Sequence, residues 1–199
     1  ANWVSEQRQA KNIFQNFNKM FNLESFEDAY LVQDSLETVW AHKGDVIGYK
    51  LALTSKAMQN MFGVSTPFKG NLFSETILKG DQVISLKNYG RLGVEFELAI
   101  EIGEDFGTNS NDLTVEKCMS KVSAVYPAFE LIDDRKADYS KVNLISTTAD
   151  NSWNANTVLG SKSKNFSHLD FSTNDVLKTV NGNIEKSVTG EALENPFNA

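Results

Sequence analysis

A chain of 199 residues, 41% apolar and 23% charged, holds enough nonpolar material to close one sizeable core, so a single domain is expected. Acidic side chains outnumber basic ones 26 to 19 and the net charge of −7 is spread along the chain, which excludes the basic stripe of a nucleic-acid surface and suits a protein that concentrates cations locally. The single cysteine, Cys118, excludes a disulfide framework or cysteine-rich zinc site, and no stretch reaches the roughly 18 to 20 apolar residues of a membrane span, so a soluble, cytoplasmic protein with no membrane partner is expected.

Glu6, Arg8, Lys11 and Lys19 stand where a signal peptide needs an apolar run, and a segment removed ahead of Ala1 stays open. Ala10, Ile13, Phe14, Phe17, Met20 and Phe21 recur at spacings of three and four, which predicts an amphipathic helix over 4–21. A second helix is expected from Ser25, where Ser25 and Asp28 have capping-box spacing, through Ala29, Val32, Leu36, Val39 and Trp40. The β-rich run 46–53 reads as a strand, and Thr54 is expected to cap a short helix that Gly63 ends. Residues 64–90 read as loops with small strands.

Leu92, Val94, Phe96, Leu98 and Ile100 alternate with Gly93, Glu95, Glu97, Ala99 and Glu101, predicting a strand with one apolar and one acidic face. A short helix over 114–122 and a strand over 125–132 follow, the latter with Tyr126, Ala128, Glu130 and Ile132 on one face. Asn181-Gly182 sits between 176–180 and 183–188, the dipeptide most favoured at a two-residue hairpin turn.

Glu95 and Glu97 share a strand face with Cα atoms about 6.6 Å apart. Partly buried, they would repel by about 2 kcal/mol at an effective dielectric near 20, a cost that a divalent cation with oxygen ligands removes. A merely solvated acidic face is the alternative. Glu130 stands in the apolar run Pro127-Ala128-Phe129-Glu130-Leu131-Ile132 and needs a metal, a base or a buried salt bridge.

Gly48-Tyr49-Lys50-Leu51-Ala52-Leu53-Thr54-Ser55-Lys56, then Gly63-Val64, Val94-Glu95-Phe96-Glu97, Pro127 to Arg135, Ala149-Asp150-Asn151 and Leu159-Gly160 occur in an order that resembles the 2-keto-4-pentenoate hydratase and 4-oxalocrotonate decarboxylase group of the fumarylacetoacetate hydrolase superfamily. The likeness runs from about residue 25 to 197. It implies an α+β fold: a mixed β-roll of the superfamily's C-terminal type, metal-binding and spanning 46–199, preceded by a helical segment over 1–45. It also implies Mg²⁺ or Mn²⁺ on Glu95, Glu97 and Glu130, a catalytic Lys50, a small 2-oxo acid as substrate, and a homo-oligomer. In such enzymes the metal chelates the substrate's carboxylate and 2-oxo oxygen and stabilises an enolate or dienolate. Lys50 would hold the substrate anion or shuttle a proton.

Three departures bear on the reaction. Where hydratases of this group show Pro-Asp-Phe/Tyr-Gly, this chain has Pro67-Phe68-Lys69-Gly70, so the expected acid is missing and decarboxylation competes with hydration. Ser152-Trp153-Asn154 replace a stretch of small residues, and Trp153 is expected to reshape the pocket. Asn195-Pro196-Phe197-Asn198-Ala199 resembles the start of a segment that continues in relatives, so a chain truncated at its carboxyl end is expected. A non-catalytic 2-oxo acid binding or partner subunit is the third reading. His42 and His168 read as surface residues, His42 being followed by Asp45 rather than the Glu of a histidine–glutamate dyad, and Ser55 and Ser123 lack partners for nucleophilic chemistry.

Overall fold

The computed structural model describes residues 1–107 and 113–198; Ala199, the last residue of the expected 46–199 segment, lies outside them. Helix α1 covers Asn2–Gln9 only, not 4–21. Lys11 turns the chain through the left-handed region at φ 52°. Beyond it the amides find other acceptors: Phe14 N donates to Arg135 O at 2.9 Å, and Phe17 N and Asn18 N to Ser146 Oγ at 3.0 and 2.9 Å. Phe14 and Phe17 are buried as their spacing implies, but on an irregular segment stitched to distant residues.

Helix α2, Phe26–Val39, begins as expected: Ser25 Oγ accepts from Asp28 N while Asp28 Oδ2 accepts from Ser25 N, satisfying two otherwise orphan amides. Strand β1, Val46–Ala52, pairs antiparallel with β2, Phe68–Phe73, setting Lys50 opposite Gly70. Gly70 is required there, because a Cβ would lie 2.9 Å from Asn151 O.

Helix α3, Lys56–Phe62, is capped by Ser55, whose Oγ accepts from Met58 N, and not by Thr54, whose carbonyl accepts from Leu193 N. Gly63, at φ 66°, closes it as expected. Short β3, Ile77–Lys79, precedes β4, Leu92–Ile102; α4, Val115–Ser120, precedes β5, Val122–Asp133; α5, Leu144–Ala149, precedes β6, Asn154–Leu159. These strands form a sheet of order β3-β6-β5-β4. A Cβ on Gly93 would meet Ile132, whereas Gly103 N donates to Lys121 O, so β4 and β5 run antiparallel. Strands β7, Asp175–Val180, and β8, Asn183–Val188, make the expected hairpin, with Asn181 and Gly182 at φ 50° and 82°.

The chain divides into two compact units. The first, residues 1–52, 68–95 and 129–158, is centred on Val4, Phe14, Phe17, Leu36, Trp40, Phe73 and Trp153. The second, residues 53–67, 96–128 and 159–199, packs Val125, Phe166, Phe171 and Phe197 against Leu98 and Ile100 of β4.

Candidate metal centre

The alternation of β4 turns Glu95 and Glu97 to one side, and β5 brings Glu130 beside them. One carboxylate oxygen from each of the three lies within 4.8 Å of the others. Oxygens coordinated to one hard cation at roughly 2.0 to 2.6 Å are at most about 4 to 5 Å apart, so the donor set and spacing suit Mg²⁺, Mn²⁺ or Ca²⁺.

Glu130 is buried, at 3% exposure, and its Oε1 collects two donors. Asn154 Nδ2 donates to it at 2.8 Å, and Lys50 Nζ lies 3.2 Å away as a largely buried ion pair. The salt-bridge partner that the apolar run demanded is therefore Lys50. Glu95 and Glu97 keep exposed surface. Glu95 nonetheless sits among enough protein atoms that lost hydration raises its pKa, with Lys50 opposing the rise and the Glu130 charge adding to it.

The residues behind the site are held by charge. Asp150, wholly buried, accepts from Arg8 Nε at 2.6 Å and Arg135 Nη2 at 2.5 Å. Arg8 also donates to the carbonyls of Asp150 and Asn154, so one guanidinium spans the turn between them. Within that turn Asn151, Ser152 and Trp153 all have positive φ, at 49°, 49° and 60°. Asn151 stabilises this irregular backbone by exchanging two hydrogen bonds with the main chain of Asn71 in β2.

Trp153 belongs to the hydrophobic core. It is 6% exposed and packs edge-on against Phe14 and Tyr139, within the core of the first unit. Phe68, at the position of the missing acid, is also buried and stacks on Phe26. His42 and His168 are exposed. Ser55 caps α3, and Ser123 donates to Glu101. Neither Asn154 nor Arg8 carries a sequence signal of its own; Ala149-Asp150-Asn151 marks the turn that both residues hold.

No family model matches the chain. It is 32% identical over 181 residues to a 2-hydroxypent-2,4-dienoate hydratase of Pseudomonas putida, covering 87% of this chain and 78% of that protein. The chain belongs to the 2-keto-4-pentenoate hydratase and 4-oxalocrotonate decarboxylase group. A group member from Paraburkholderia phymatum, a 2-keto-4-pentenoate hydratase, is 30% identical over 173 residues; the match takes in 86% of this chain but spans only 65% of that relative. The solved 4-oxalocrotonate decarboxylase of Pseudomonas putida G7, complexed with magnesium and adipate, shares the mixed helix-and-sheet fold at a TM-score of 0.87 and 22% identity, over 98% of this chain and 74% of that one.

Proposed function

We propose that this chain is the metal-binding part of a hydro-lyase that adds water to a 2-hydroxy-2,4-dienoate, a 2-keto-4-pentenoate-like 2-oxo acid. The observation that carries this reading is the meeting of the Glu95, Glu97 and Glu130 carboxylates beside Lys50. Three carboxylates would hold Mg²⁺ or Mn²⁺, and the ion would supply Lewis acidity toward the substrate's carboxylate and 2-oxo oxygens. Support for a divalent ion comes from the decarboxylase of Pseudomonas putida G7, solved with magnesium and adipate and with calcium and acetate.

Lys50 is the chain's own proton-handling group in this reading. Its ammonium, mostly shielded from solvent against Glu130, can hold a substrate carboxylate or pass a proton to a carbon of the chain. Phe68 can do neither, so the proton work falls to Lys50 and water. The same Phe68 favours a second reading, loss of CO₂ from a 4-oxalocrotonate-type acid, a reaction that needs no acid at that position. The sheets belong to a mixed β-roll of the fumarylacetoacetate hydrolase type over 46–199, which residues 1–45 brace through the Arg8 pair with Asp150. A cytoplasmic homo-oligomer completes the proposal; among the described residues no helix is long and apolar enough to cross a membrane.

Incubation of the protein with Mn²⁺ and each dienoate tests the reading. Loss of the conjugated chromophore without CO₂ is the expected result, and CO₂ release selects decarboxylation. Neither, with measurable binding of oxalate or pyruvate, leaves a non-catalytic 2-oxo acid binding subunit.

A further inference from the structure

We infer that Asn154 is a positioning residue that orients the Glu130 carboxylate for a cation, and that Arg8 sets Asn154. The inference rests on the metal-binding reading of Glu95, Glu97 and Glu130. A carboxylate oxygen has about two lone-pair positions, and Oε1 of Glu130 meets both Asn154 Nδ2 at 2.8 Å and Lys50 Nζ at 3.2 Å. With Oε1 turned to these two donors, Oε2 would be the oxygen Glu130 offers to a cation.

Asn154 is itself 3% exposed and stands where β6 leaves the turn of positive-φ residues. Such a turn has no regular hydrogen-bond ladder to hold its exit. Arg8 supplies the hold, donating at 2.8 Å to Asn154 O while Nε grips Asp150 Oδ1 at 2.6 Å. A line of contacts thus runs from α1 through Arg8 and Asn154 to Glu130. Partners behind metal ligands orient them, and their loss typically weakens metal affinity by about 10- to 100-fold.

The test compares Mn²⁺ affinity, by calorimetry and electron paramagnetic resonance, in wild type, Asn154→Leu and Trp153→Phe. Asn154→Leu keeps the volume and removes the donor; the expected result is affinity about 10- to 100-fold weaker. The infrared splitting between symmetric and antisymmetric carboxylate stretches should also narrow on metal binding, as Glu130 turns bidentate. Trp153→Phe disturbs the same turn without touching Glu130, so it should lower the melting midpoint yet hold affinity within about 3-fold of wild type. Arg8→Lys, which loses the second carbonyl contact, should fall between. Wild-type binding with unchanged affinity and splitting in Asn154→Leu overturns the positioning role alone, as does an equal affinity loss in Trp153→Phe. No Mn²⁺ binding to wild type overturns the metal reading and this inference with it.

Discussion

Lys50 Nζ and Glu130 Oε1 lie 3.2 Å apart, with side chains 10% and 4% exposed. They come from strands 80 positions apart in sequence, and each answers the other's burial. Removing one partner of such a pair typically costs about 3 to 5 kcal/mol, because the remaining charge loses its counter-ion without regaining water. Lys50→Met should therefore destabilise the metal-free protein. A bound cation replaces the lost positive charge, so Mg²⁺ should raise the melting midpoint of Lys50→Met more than that of wild type. Turnover should fall by at least about 100-fold if Lys50 performs general acid–base work. Retained turnover removes Lys50 from the mechanism.

Glu97→Ala separates a metal centre from a solvated acidic face. A ligand that binds only the folded state stabilises by about 2.7 kcal/mol at one hundred times its dissociation constant. Wild type should show a shift of this order with Mn²⁺ and the variant much less. Equal shifts would mean that Glu97 holds no cation.

Asp150 carries two guanidinium groups, Arg8 and Arg135, at 2.6 and 2.5 Å in a wholly buried setting. Burial pushes the Arg135 pKa down, and Asp150 opposes that shift. Asp150→Asn keeps the shape and deletes the charge, leaving two cations uncompensated. The expected loss is about 3 to 5 kcal/mol, a large share of the roughly 5 to 15 kcal/mol that holds a domain together. Urea unfolding gives the value; a loss below about 1 kcal/mol would show that the pairs merely break even.

Acid sensitivity should come partly from Glu101. Lys162, Tyr126 and Ser123 all donate to its carboxylate, with Lys162 Nζ at 2.6 and 2.8 Å, and the pKa falls from 4.5 to about 2. The folded state then binds fewer protons than the unfolded one between these values. Its contribution is present in full above about pH 4.5 and disappears as pH falls toward 2. Glu101→Gln should flatten the stability profile across that interval in chemical unfolding at stepped pH. An unchanged slope would assign the acid loss to other groups.

Local signals in the sequence matched local structure. The Ser25 and Asp28 box and the Asn181-Gly182 turn rest on contacts within a few residues, the alternation from Leu92 to Ile100 marks a strand, and all three elements stand in the fold, although Val94 and Phe96 of the apolar face keep 48% and 37% exposure. The glutamate spacing on β4 belongs to the same class, since a strand's period of two alone puts Glu95 and Glu97 on one face. The resemblance brought Glu130 to them; periodicity could not.

Tertiary structure decided the rest, because the competing partners are far apart in the chain. The apolar spacing over 4–21 marks burial correctly at Phe14 and Phe17, yet the helix stops at Gln9 since Arg135 O and Ser146 Oγ take the amides that a helix would have used. Trp153 beside a site motif looks like pocket lining, but its indole joins the core once three residues of positive φ turn it toward Phe14. Asp150 and Glu130 both stand in motifs that carry the resemblance, and the sequence alone assigns neither a partner. Only the folded chain gives Asp150 two arginines and Glu130 a lysine, an amide and two neighbouring carboxylates, and that difference in surrounding charge makes one a brace and the other a candidate ligand.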